Sequence, residues 1–119
     1  MNGQNTLVNK IVEGLQEKKA KNIVVVDMTE IEDASFEHFI ICEGTSTTQV
    51  GAIAESMMDY LRTEVGIKPF AYDGFQNNQW IAVDFGHIIV HVFLPEYRDF
   101  YKLEQLWADA KLTQIPDLD

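Results

Sequence analysis

Cysteine is almost absent from this 119-residue chain: Cys42 stands alone, so no internal disulfide can form, which fits a reducing compartment. Its place inside an apolar run marks it as a buried, inert thiol rather than a nucleophile. Long hydrophobic runs are missing too. Stretches such as Ile23 to Val26 and Ile81 to Val83 fall far short of the roughly 18 residues that span a bilayer. The opening Met1-Asn2-Gly3-Gln4-Asn5 has neither the basic and apolar segments of a secretory signal nor the arginines of a transit helix. A cytoplasmic protein with no membrane partner is the expectation.

Positive charge is scarce. Nine Lys and Arg face nineteen Asp and Glu, and the resulting formal charge of -10 repels phosphate backbones and anionic lipid. Direct nucleic-acid binding is disfavoured. No Lys or Arg falls between Lys21 and Arg62, a stretch carrying eight carboxylates. Such a surface would suit a basic protein partner, but charge alone is better explained as serving solubility. Gly and Pro are scattered, no repeat is visible, and 46% hydrophobic residues supply one core. Residues 1–119 therefore read as a single domain, with residues 113–119 expected as a flexible C-terminal tail.

Leu7, Val8, Ile11, Val12 and Leu15 recur at helical spacing and predict an amphipathic helix over roughly Asn5 to Lys19. Ile23 to Val26 and Phe39 to Cys42 read as short buried strands. Ser46 and Gln49 have capping-box spacing and open a second helix, lined by Val50, Ile53, Ala54, Met57 and Leu61 and stopped at Gly66. A loop is expected through Asp73, Gly74, Asn77 and Asn78. Trp80 to Phe85 and Ile88 to Phe93 then form a hairpin around Gly86-His87, where glycine suits the first position of a type II′ turn. Phe100, Leu103, Leu106, Trp107 and Ala110 predict a final helix, with Tyr97, Tyr101 and Glu104 on a neighbouring, more exposed stripe. The order of elements argues for an α/β domain, a mixed sheet with helices packed against it.

Strand alternation makes the hairpin informative. Ile81, Val83, Phe85, Ile88, Val90 and Val92 form one wholly apolar face. The other carries Trp80, Ala82 and Asp84 beside Ile89, His91 and Phe93, with His91 opposite Ala82 and Phe93 opposite Trp80. That second face is either packed beneath a polar-lined helix or partly open to a partner.

No catalytic constellation emerges. His87 and His91 would lie roughly 13 Å apart along a strand and cannot share a metal. No nucleophile elbow or Cys/His signature is present. Gly44-Thr45-Ser46, between a strand and a helix N-terminus, is the sharpest alternative, because backbone amides there can cradle phosphate. A nucleotidyltransferase would need two carboxylates one residue apart on a following strand, whereas Asp73 and Asp84 stand isolated. Glu30-x-Glu32 precedes the turn, and no Walker lysine follows it.

The run Trp80 to Phe93, with Arg98, Tyr101, Leu103-Glu104 and Leu106-Trp107 after it, resembles the signature of the Iojap family. Phe39-Ile40-Ile41-Cys42-Glu43-Gly44-Thr45-Ser46, Gln49-Val50 and Ile53-Ala54 resemble that family's first block. The resemblance implies a nucleotidyltransferase-like α/β fold without the catalytic carboxylate pair, and no enzymatic activity or cofactor. It implies binding to the large ribosomal subunit through its fourteenth ribosomal protein, at the face that meets the small subunit. Blocked subunit joining and lowered translation under nutrient limitation would follow. Position by position, it implies a partner-binding surface of Tyr72, Asp73, Gly74, Trp80, Asp84, His91, Tyr101 and Glu104. A departure is His87, where the family pattern leads one to expect Asp. Two rival readings stand beside this one: a nucleotide-binding domain using the Gly44 turn, and a module that forms homodimers through its aromatic hairpin face.

Overall fold

The structure is a computed structural model, and it describes residues 3–101 and 110–118. Its elements run α1 (Gly3–Gln16), β1 (Lys21–Asp27), β2 (His38–Glu43), α2 (Thr47–Val65), β3 (Ala71–Asp73), β4 (Trp80–Asp84), β5 (Ile88–Phe93), α3 (Pro95–Tyr101) and β6 (Lys111–Ile115). Six strands form one sheet in the order β3-β4-β5-β2-β1-β6. The central β2–β5 pair is parallel, and the other four ladders are antiparallel. The sheet is therefore mixed, as expected from the sequence.

Each strand has two faces, and the two faces of this sheet are buried differently. Ile23, Val25, Ile40, Cys42, Ile81, Val83, Val90 and Val92 meet α1 and α2 in the main core. Burial there pushes the Cys42 thiol pKa up to about 12, so it is protonated and inert at neutral pH. The opposite face is smaller. Val24, Val26, Phe39, Ile41 and Phe93 are covered there by Met28, with Ile31, Ala34 and Phe36 of the connection between β1 and β2. Tyr97 of α3 touches both clusters.

Local chemistry accounts for the element ends. Ser46 is in extended conformation at the N-cap of α2, and its hydroxyl accepts from the Gln49 amide at 3.1 Å. At the other end Gly66 adopts a left-handed conformation, φ 69°, and its amide reaches Arg62 O. Gly86, with φ 98°, turns β4 into β5, and Phe85 N donates to Ile88 O at 2.9 Å.

Three expectations change. Residues 71–73, expected within a loop, form the edge strand β3, which is exposed throughout and carries no burial pattern to betray it. Residues 113–115, expected within a flexible tail, belong to β6 and pair with Ile23 to Val25 of β1. Ala110, placed on the last helical stripe, sits in a bend before β6 and packs on the smaller cluster. Leu103, Leu106 and Trp107 lie outside the described residues.

Candidate interaction face and its relatives

The hairpin pairs Trp80 with Phe93, Ala82 with His91 and Asp84 with Ile89, the register read from alternation. Indole and phenyl rings of Trp80 and Phe93 stack with centroids 5.0 Å apart. The Trp80 Nε1–H donates to His91 Nδ1 at 3.0 Å, which assigns the histidine proton to Nε2. Phe39 meets the His91 ring edge-on at 5.3 Å. Burial among these aromatics depresses the His91 pKa to about 4, so the ring is neutral at physiological pH. Its Nε2 is buried without a hydrogen-bond partner among the described residues. Trp80 is thereby fixed in orientation while remaining half-buried.

Asp84 Oδ1 accepts the Gly86 amide at 2.7 Å, which ties the carboxylate to the hairpin turn. Asp73 pairs with Ala82 across β3 and β4, so it shares the face of Trp80, Asp84 and His91. Gly74 follows with φ 107°, and a Cβ there would stand 2.1 Å from the Trp80 carbonyl oxygen. Only glycine allows the loop so close. A notch of about 150 Å³ results, lined by Gly74, Asn77, Gln79, Trp80 and Tyr97. Tyr97 was a surface candidate from its helical stripe, and here it walls the notch beside Trp80.

The structure divides the expected set. Asp73, Trp80, Asp84 and His91 share one sheet face, whereas Tyr72 pairs with Val83 and therefore points to the helix-covered side. Tyr72 is 59% exposed, meets Phe75 edge-on at 5.5 Å, and stands close in sequence to Phe70, which is 81% exposed. Phe70 escaped the sequence reading, although an aromatic following Pro69 in a polar loop was a usable signal. Tyr101 ends α3, and Glu104 lies outside the described residues.

Arg98 has a structural post. Its Nη1 donates to Asn22 O at 2.6 Å and Glu43 Oε2 at 3.1 Å, linking α3 to the start of β1 and the end of β2. Asn22 also gives its side-chain amide to Glu43 and its backbone amide to Asp117. His87 is exposed at the hairpin tip, and its carbonyl receives Glu37 N and His38 N.

The Gly44 turn spends its amides internally. Gly44 N donates to Phe93 O, Thr45 N to Gln49 Oε1, and Gln49 N to Ser46 Oγ. A phosphate would have to break those bonds to be cradled there. No group of three metal-ligating side chains occurs among the described residues, and no helix there is long and apolar enough to cross a membrane.

Together these features place the chain among small α/β domains built on a mixed six-stranded sheet, with an aromatic and acidic face beside the β4–β5 hairpin. The family model described as ribosomal silencing factor during starvation matches residues 2–119, and the chain belongs to that family. The ribosomal silencing factor of Bacillus subtilis is 36% identical over 94% of this chain and 93% of its own length. A crystal structure of a Chromobacterium violaceum protein superposes with a TM-score of 0.81 at 32% identity, covering 98% of this chain and 94% of that one. A Bacillus halodurans structure gives 0.75 at 30% identity, covering 97% and 98%.

Proposed function

We propose that this chain silences ribosomes by occupying the large subunit's intersubunit face, docking on that subunit's fourteenth ribosomal protein and sterically blocking subunit joining. It acts in the cytoplasm, represses translation under nutrient limitation, and needs neither cofactor nor catalysis. The observation that carries this reading is the fixed, half-buried Trp80, held by His91 and Phe93 and flanked by Asp73 and Asp84 on one sheet face. An oriented aromatic anchor loses little freedom on docking, and the carboxylates complement a basic protein surface. Family membership supplies the ribosome as the target.

The test is co-sedimentation with separated large and small subunits, together with a subunit-joining assay. Wild type is expected to pellet with large subunits alone and to suppress joining. Asp73→Lys, an exposed reversal that spares the core, is expected to weaken both effects about tenfold. Trp80→Ala, checked for folding, is expected to abolish them. Failure of the wild type to bind either subunit overturns the proposal.

A further inference from the structure

The loop between β3 and β4 carries an arrangement that folding stability alone does not account for. Asn77 and Gln79 line the notch beside Trp80, so the course of this loop shapes the candidate docking site. Backbone bonds fix its ends. Gly74 N donates to Asp73 Oδ1, Asn78 N closes a turn on Gly74 O, and Gln79 O accepts Leu94 N, each at 2.9 Å. Phe75 packs inward against the main core. Asn78 reaches onto α2. Gly51 of that helix is buried, and a Cβ added there would stand 2.6 Å from Asn78 Nδ2 and 3.2 Å from its Cγ. The Asn78 carboxamide therefore occupies the space that any other residue at position 51 would fill.

Three costs meet at this contact. Asn78 has φ 54°, a left-handed conformation that asparagine tolerates better than most residues but that still strains an L side chain. Its Oδ1 is buried with no hydrogen-bond partner among the described residues, which forfeits the hydration of an amide oxygen. Gly51 stands inside a 19-residue helix, where only proline is a poorer helix former. Each of the three weakens the fold. Glycine in place of Asn78 would relieve the first two, and alanine in place of Gly51 the third. A strained and unsatisfied contact persists where its surroundings over-determine it, and such contacts gather where geometry serves binding.

We infer that Asn78, seated on Gly51, is a positioning residue: it props the 74–79 loop from α2 and so holds Asn77 and Gln79 in the arrangement that a docking partner meets. This role rests on the docking reading above for its partner, and on the contact itself for its geometry. A prop that fixes the loop beforehand reduces the freedom lost on binding, so it acts through affinity rather than stability. The two are separable here, because the atom nearest position 51 is the far end of a side chain, which can move aside without disturbing the sheet.

The experiment compares the wild-type full chain with Asn78→Gly and Gly51→Ala in urea unfolding, amide hydrogen exchange at position 78, and co-sedimentation with large subunits. Both variants are expected to unfold at or above the wild-type urea midpoint. The position-78 amide is expected to exchange about tenfold faster as its bond to Gly74 O opens, and large-subunit binding to weaken about tenfold. If one variant does not fold, the other displaces the same carboxamide from the opposite side of the contact. Stability lost in step with binding makes Asn78 a structural residue only and overturns the inference. Wild-type exchange at position 78, or unchanged binding despite faster exchange, overturns it too. A wild type that ignores large subunits sinks the docking reading instead, and exchange at position 78 then decides whether Asn78 props the loop.

Discussion

Arg98 Nη1 and Glu43 Oε2 lie 3.1 Å apart, with the two side chains only 8% and 15% exposed, so α3 is bolted to the end of β2 by a buried ion pair. Desolvation makes such a pair a modest stabiliser as a whole, but removing one partner strands the other charge in a poor environment. Glu43→Ala is expected to cost about 3 kcal/mol, measured by urea unfolding, through loss of the Arg98 and Asn22 contacts together. Glu43→Gln, which keeps the shape and one of the two acceptor oxygens but turns the other into a donor, is expected to cost less.

The buried His91 gives the fold a pH signature of known sign. Its pKa falls from 6.5 to about 4 on folding through desolvation, so the unfolded chain binds the proton more readily. Stability from this group is fully present above about pH 6.5 and is lost as pH falls toward 4, to a total of about 3 kcal/mol. Its ring neighbours Trp80, Phe39 and Phe93 do not titrate in that window. His91→Phe should therefore flatten the wild-type slope between pH 6.5 and 4, read as the difference between two urea-unfolding series.

Gly74 is expected to tolerate no side chain. With φ 107° and a Cβ position 2.1 Å from the Trp80 carbonyl oxygen, Gly74→Ala should cost about 3 kcal/mol and move the loop that walls the Trp80 notch. Thermal unfolding gives the cost. A parallel loss of large-subunit binding without loss of fold would locate the effect in the notch.

Ser46→Ala removes the hydroxyl that caps α2 and is expected to cost about 1 kcal/mol in chemical unfolding. Nucleotide titration of the wild type gives the companion expectation. Because Gly44 and Thr45 amides already have protein acceptors, no magnesium-dependent binding at that turn is expected.

What was legible in the sequence follows from periodicity. The β4–β5 hairpin announced its register because alternation runs through both strands and glycine marks the turn, so Trp80, Asp84 and His91 could be placed on one face in advance. The α2 boundaries were equally plain, since Ser46, Gln49 and Gly66 carry their own capping chemistry. β3 and β6 were not legible. Each is a short, mostly exposed edge, where pairing with one neighbour replaces burial as the reason to be extended. Missing β3 left the site without parity there: the family resemblance named Tyr72 and Asp73 together, and the strand adds that their side chains point to opposite faces.

The pairing of β1 with β6 also sets a timetable for folding. β1 finds its first partner nearby, since β2 follows after a short connection, but its second partner begins at Lys111. During synthesis β1 must therefore present a bare hydrogen-bonding edge until nearly the whole domain has been made, with Val24 and Val26 beside it. Completion of the sheet is a late, long-range event. A chain interrupted before residue 111 would carry an assembled β4–β5 hairpin and an open, association-prone flank at its oldest end.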